Sequence, residues 1–181
     1  DATLRLLRPD DHARLGVYLT GLSKATTDRW GPHAMDRAAA ERICAELDHT
    51  RMLRAVATVR DPELGERLIA YQLVAWGVWD GDRERYARLG IALSEAGDCT
   101  LAPSVADAWQ DQGIGSAVAV RLRTVAARVG RRRMVLWGGV QADNHRAVHF
   151  YGKLGFVKVG EFLSDAGERG TINNWDMIAP L

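Results

Sequence analysis

The residues best placed to do chemistry in this chain are Gln110-Asp111-Gln112-Gly113-Ile114-Gly115-Ser116. A strand-like apolar run, Cys99 to Ala106, leads into them, and a helical pattern leads out. A glycine turn between a strand and a helix makes an anion site. The backbone N–H groups of the first helical turn have no acceptor within the helix, and the helix dipole adds positive potential there. Glycine at 113 and 115 removes side chains that would keep a phosphate away from those amides. The expected ligand is a phosphate-bearing cofactor, although the same two glycines also suit a plain turn.

Three classes of cofactor compete for such a turn. A P-loop needs Gly-Lys-Ser/Thr, and the chain has no such triplet. A dinucleotide fold needs Gly-x-Gly-x-x-Gly and an acidic residue about 20 positions on. Here the third glycine position is Val118, and Met134 to Val140 holds no carboxylate. The third class is coenzyme A. Gln110-x-x-Gly113-x-Gly115 resembles the pyrophosphate loop of the GNAT-type N-acetyltransferase superfamily. One predicted strand downstream, Asn144-His145-Arg146-Ala147-Val148-His149-Phe150-Tyr151-Gly152-Lys153-Leu154-Gly155-Phe156 resembles that superfamily's other signature, Asn-x-x-Ala-x-x-Phe-Tyr-x-x-x-Gly-Phe. The resemblance is specific from Val105 to Phe156; the remainder agrees in element order.

The resemblance implies an acyl-CoA-dependent N-acyltransferase, moving acetyl from acetyl-CoA directly to a primary amine and releasing coenzyme A. The acceptor is a protein lysine or N-terminus, or a small amine. The competing reading is a non-catalytic acyl-CoA-binding sensor or partner domain. By resemblance, the backbone of Val105, Ala106 and Asp107 pairs with the pantetheine arm. The pyrophosphate meets the amides of Gln112, Gly113, Ile114, Gly115 and Ser116, and the Gln110 side chain closes the loop. Asn144 serves as a helix cap, a cofactor contact, or both. Tyr151 falls beside the sulfur, where a phenol of pKa about 10 can protonate a leaving thiolate of pKa about 8.5; it is otherwise a core aromatic.

An amine of pKa about 10.4 is neutral in only about one molecule in two thousand at pH 7, so a base or a water chain is useful. Several relatives carry a Glu on the strand before the Asn helix, where this chain has Trp137-Gly138-Gly139-Val140. The remaining base candidates are Glu95 and Asp98, then Glu84 and Asp107, with a water relay equally open. His33, in Trp30-Gly31-Pro32-His33, lies on a loop that by resemblance borders the acceptor side. No metal set is present: Cys44 and Cys99 are too few for a four-ligand zinc site or a disulfide framework, and read as reduced core thiols.

Bulk properties are ordinary for a soluble globular protein, and the near-zero net charge does not choose between a protein and a small-molecule acceptor. The chain has 181 residues, 47% hydrophobic and 26% charged, with a net charge of +1. That balance gives no pull toward nucleic acid or membrane. No apolar run is long enough to span a bilayer and no signal-peptide pattern opens the chain, so a cytoplasmic protein is expected. The expected organisation is a single N-acetyltransferase domain over 1–181, as monomer or homodimer.

The elements that must position these residues follow from periodicity. Leu4 to Arg8 reads as a strand stopped by Pro9, and Asp10 or Asp11 as the cap of a helix from His12. Asp36 caps a second helix bearing Ala40, Ile43, Cys44 and Leu47 inward. Met52–Val59 and Leu68–Trp79 form an antiparallel hairpin around a turn at 60–65. The charged connection Asp80–Asp98 holds a short helix near Arg83–Leu89. The main helix presents Ile114, Val118, Leu122, Val125 and Val129 on one face and stops at Gly130. Strands 99–106 and 134–140 are parallel across it. A helix opens at Asp143 or Asn144 and ends at Gly155. Phe156–Phe162 and Asn174–Ile178 close the chain as strands around a turn with Gly167 and Gly170. The predicted class is α/β, α+β mixed: a mostly antiparallel mixed sheet of about 6–7 strands flanked by helices, ordered β-α-α-β-β-β-α-β-α-β-β and GNAT-like.

Overall fold

The computed structural model describes residues 1–63 and 65–181; Leu64, within the predicted turn at 60–65, lies outside the described residues. Among the described residues are eight strands, mostly antiparallel where registers are defined, and six α-helices. This is the mixed α/β class expected, with more strands than the six or seven read from the sequence. The extra strand arises because the predicted strand at 134–140 is broken in two. β5 is Arg133–Leu136 and β6 is Val140–Gln141. Between them Gly138 and Gly139 take φ of +65° and +73°, outside the extended region a strand needs. The chain divides into two compact units, Asp1–Val74 with Ala102–Ala119, and Ala75–Leu101 with Val120–Leu181.

In the first unit, β1 (Thr3–Leu6) pairs antiparallel with β2 (Met52–Asp61), from Thr3↔Thr58 to Leu6↔Ala55. β3 (Gly65–Ala75) neighbours β2. Helices α1 (His12–Thr20) and α3 (Arg37–Ala45) pack on each other, burying Leu15, Leu19, Ala40 and Cys44. Asp36 caps α3 as its sequence position implies, accepting from Ala39 N at 2.6 Å. Asp11 does not cap α1 with its side chain. That carboxylate is wholly buried and takes both arms of Arg5, at 2.6 and 2.8 Å, plus Arg8 N at 2.9 Å. An ion pair fastening β1 to the helix entrance outweighs the weaker cap bond. A one-turn helix, α2 (Lys24–Thr27), capped by Ser23, was not legible as a separate element.

In the second unit, β4 (Asp98–Val105) begins beside β5, parallel from Asp98↔Arg133 to Leu101↔Leu136. β8 (Thr171–Pro180) pairs antiparallel with β5, β6 and β7 (Val157–Asp165). Helix α4 (Asp80–Arg88) lies where a short helix was expected, and its Tyr86 is fully buried with Val78, Leu93 and Val135. Helix α5 (Ile114–Arg128) buries Val118, Ala119, Leu122 and Ala126, while Val125 and Val129 are exposed. The predicted face was too wide: alanines at 119 and 126 sit inward and turn the outlying valines toward solvent. Helix α6 (His145–Lys153) follows, and Gly155 at φ +82° ends it. Among the described residues no helix is long and apolar enough to cross a membrane.

Asp98 is the electrostatic hinge of β4. It is fully buried, accepts from Arg133 at 2.8 and 2.7 Å, and from Ser94 N at 2.6 Å. Burial opposes its ionisation, but those hydrogen bonds outweigh burial and hold the carboxyl below its usual range; the same holds for Asp11 beside Arg5. A carboxyl with a depressed folded pKa adds stability that is complete above its unfolded value of about 3.9 and is lost as pH falls through the lower folded value. Asp98→Asn is therefore expected to lower stability at pH 7 by about 2–4 kcal/mol. Thermal melts at pH 7 and pH 3 should show the gap from the parent narrowing in acid. A gap of equal size at both pH values would refute the assignment.

Candidate active site

The glycine turn belongs to the first unit and is built from β4 outward. Ala106 N donates to Ile69 O at 2.9 Å, after which Asp107–Trp109 makes one 3-10 turn. The Gln110 side chain donates to Val105 O at 3.0 Å and to Thr26 Oγ1 at 3.3 Å, which ties the turn to the strand it leaves. Gln112 Nε2 donates to Ala108 O at 2.8 Å. Asp111 and Gly113 adopt φ of +60° and +78°, and these two left-handed residues swing the chain into α5 at Ile114. The helix ladder opens with Ala117 N on Gly113 O at 3.0 Å. Among the described residues the backbone N–H groups of Gly113, Ile114, Gly115 and Ser116 have no protein acceptor. A Cβ on Gly113 would meet nothing within 4 Å. This is the donor set a diphosphate requires: several amides at a helix start, with open space in front.

Two side chains hold this turn. Gln72 on β3 is fully buried and donates from Nε2 to Gly115 O at 3.0 Å, fixing the first turn of α5. Asp107 accepts from Ser23 N at 2.8 Å, Ser23 Oγ at 2.7 Å and Thr26 Oγ1 at 2.7 Å. Burial works against its charge, and the bonds from Thr26 and Ser23 prevail, keeping the carboxyl below its usual range. A carboxylate so engaged is a strut, and its lone pairs are spent. Gln72 was missed in the sequence, though a signal was present. It is the one amide in the apolar run Leu68–Val74, and a buried polar side chain requires a partner.

The Trp30–His33 loop also lies in the first unit, against β2 and β3. His33 Nδ1 lies 2.8 Å from Ala34 O, which assigns the ring proton to Nδ1 and leaves Nε2 as an acceptor. Nε2 is 3.4 Å from the Tyr71 hydroxyl, and that oxygen accepts from Arg54 Nη1. Burial lowers the His33 pKa, so the ring is neutral at physiological pH. Trp30 stands edge-on to His33, ring centres 4.6 Å apart. On the same strand, Tyr71 O accepts from Ser104 Oγ at 2.9 Å, and Ser104 Oγ lies 2.9 Å from the Tyr18 hydroxyl. Arg54, Tyr71 and Ser104 carried no sequence signal, because each acquires its meaning only from pairing across strands.

The second unit holds the remaining candidates. Asn144 caps α6, its Oδ1 accepting from Ala147 N at 3.2 Å. Tyr151 is 8% exposed and lies between Phe150 and Phe156, at ring-centre distances of 5.1 and 5.5 Å. Its hydroxyl has no hydrogen-bond partner among the described residues, and burial raises its pKa, so it keeps its proton. Glu95 is mostly exposed, with Oε2 3.4 Å from Val78 N and 3.8 Å from Arg83 Nη1. Glu84 is exposed beside Arg88 at 3.7 Å. Asp98 is locked to Arg133. At the β5 break, Gly138 N donates to Asp82 Oδ2 at 3.3 Å. Asp82 is buried, which raises its pKa, and it pairs with Arg85, which also reaches Asp176 at 3.0 Å. Asp82 was overlooked because the charged run around it read as solvated. Among the described residues no group of three or more His, Cys, Asp or Glu side chains is arranged to hold a metal ion.

Comparison with known proteins brings these observations together. Residues 100–156 match the model of the Acetyltransferase (GNAT) family. No curated protein matches the chain in sequence. Among solved structures, a GNAT-family acetyltransferase from Streptococcus pneumoniae aligns with a TM-score of 0.73 at 19% identity, covering 100% of both chains. The yncA protein of Salmonella typhimurium, solved with its cofactor acetyl-CoA, aligns at 0.69 and 20%, covering 100% of this chain and 94% of that one. The ribosomal-protein-S5-alanine acetyltransferase of Vibrio fischeri aligns at 0.73 and 14%, covering 99% and 92%. Identities this low establish the fold. The chain thus has the GNAT acetyltransferase fold, and residues 100–156, which hold both motifs read from the sequence, are the stretch that matches that family's model.

Proposed function

We propose that this protein is an N-acetyltransferase that moves an acetyl group from acetyl-CoA to a primary amine in a single direct transfer. The observation that carries the reading is the row of unpaired amides at Gly113–Ser116, in a chain with the GNAT acetyltransferase fold. A relative solved with acetyl-CoA supports the choice of cofactor.

Acetyl-CoA, when bound, supplies an activated thioester. The amides of Gly113 to Ser116 bind its pyrophosphate, and Gln110 and Gln72 keep them aligned. The main chain of Val105, Ala106 and Asp107 is available to pantetheine amides. In the transfer a C–N bond forms from the neutral amine and the C–S bond breaks; the amine gives up a proton and the departing sulfur gains one. Tyr151 holds that second proton. Burial raises the phenol above its ordinary value, so it is protonated and able to donate at neutral pH. Among base candidates, Asp98 and Asp107 have their lone pairs engaged and are set aside. Glu95 and Glu84 are the carboxylates left to take the amine proton, Glu95 being the first choice, with a water relay as the alternative route. Neither cysteine is placed to carry an acyl group: both are buried, and both thiols are raised.

Calorimetry tests the cofactor: acetyl-CoA or CoA is expected to bind in the micromolar range, with no comparable binding of NADPH. The reverse result overturns the reading. A CoA-release assay over amines and peptides then separates enzyme from sensor. Binding without acceptor-dependent release in any case would make the protein an acyl-CoA-binding module.

A further inference from the structure

Arg54 is a half-buried guanidinium with one protein partner for its side chain, the neutral hydroxyl of Tyr71. Among the described residues no carboxylate pairs with it. Three other half-buried arginines are compensated by carboxylates: Arg5 by Asp11 and Glu66, Arg85 by Asp82 and Asp176, Arg133 by Asp98. A cation partly removed from water without a counterion is costly, and its remaining donors form a planar fork suited to an oxyanion.

The surroundings favour the same ligand. The Tyr71 proton points to His33 Nε2 and its lone pair takes Arg54, so the chain His33–Tyr71–Arg54 is satisfied and leaves no acceptor to quench the cation. The Trp30 indole N–H is buried and has no protein acceptor. Trp30 lies 6.0 Å from Tyr71, ring centre to ring centre, and the two rings with His33 form an aromatic wall. His33 feels the positive fields of Arg54 and Arg42 and the negative field of Asp36, whose carboxylate caps α3 through Ala39 N. This cluster is wired to the end of β4. Tyr71 O takes Ser104 Oγ, and Ser104 stands two residues before Ala106, where the glycine turn begins.

We infer that Arg54, walled by Trp30, His33 and Tyr71, is the anchor for a carboxylate on the acceptor, so that the substrate is a small amino acid-like amine. The inference rests on the transferase reading for the word acceptor and on the Arg54 cluster alone for the carboxylate. A protein lysine or a polyamine lacks that group.

The test uses matched pairs: β-alanine with propylamine, L-lysine with cadaverine, L-phenylalanine with phenethylamine. Binding is read by titrating each into the isotope-labelled protein and following the Arg54 Nε–H and Trp30 indole signals. At least one carboxylate member is expected to shift both signals, and its amine partner neither. In CoA release that member should exceed its partner at least about tenfold in kcat/KM. Arg54→Gln should erase the preference by raising KM for the carboxylate member, with acetyl-CoA affinity unchanged; Arg54→Lys, which keeps the charge, should retain part of it. If no carboxylate moves the Arg54 signal, or the preference survives in Arg54→Gln, the inference is wrong. Carboxylate binding in a protein that fails to bind acetyl-CoA would instead remove the transferase reading and leave the anion site standing.

Discussion

Tyr151→Phe is expected to reduce turnover about a hundredfold or more, with acetyl-CoA affinity changed by less than about threefold. The substitution is a clean one. The Tyr151 hydroxyl makes no hydrogen bond in the free protein, so its removal leaves no orphaned partner. The ring remains between Phe150 and Phe156, and packing is kept. What disappears is a proton that the buried phenol keeps at neutral pH. General acid catalysis contributes about 10²–10⁴-fold, so the loss should appear in kcat and scarcely in a calorimetric Kd. An unchanged rate would remove Tyr151 from the mechanism and leave it as a core aromatic.

The second large effect belongs to the cofactor loop. Gly115→Val is expected to weaken acetyl-CoA binding by about a hundredfold or more, near 2.7 kcal/mol. Gly115 has no left-handed backbone to lose, and valine is a better helix residue than glycine. Its carbonyl is already held by Gln72. The variant should therefore fold and melt like the parent, and the deficit should arise where a side chain now stands among the unpaired amides. Calorimetry with CoA alone isolates this from the acyl group. Affinity within tenfold of the parent would place the pyrophosphate away from this turn.

Local chemistry made some parts of the molecule readable in one dimension. Asp36 and Asn144 announce helix starts because a cap bond spans three residues. The glycine turn was visible because its function lies in backbone that glycine leaves bare. The features that were missed depend on partners distant in sequence. Gln72 finds Gly115 43 positions away, and Asp82 finds Gly138 56 positions away. Asp11 looked like a cap until Arg5 offered a two-pronged ion pair in place of a single bond to a backbone N–H. The break after β5 was hidden because Met134 to Val140 is apolar apart from two glycines, and only φ reveals that both leave the strand conformation.

Those two glycines also bound what this chain could become. They lie within Trp137–Val140, the stretch where the resemblance implies a glutamate in several relatives. Gly139 is closed: a Cβ there would lie 2.7 Å from Trp175 O and 3.0 Å from the Phe162 ring. Gly138 is open, with nothing within 4 Å of a Cβ, and its φ of +65° is one that Asn and Asp tolerate better than other residues with a side chain. A single-step route to a new carboxylate at the end of β5 thus runs through position 138, and through aspartate before glutamate. Next to it Asp82 already accepts the Gly138 N–H, so a second acid would arrive beside a buried one whose charge Arg85 already balances.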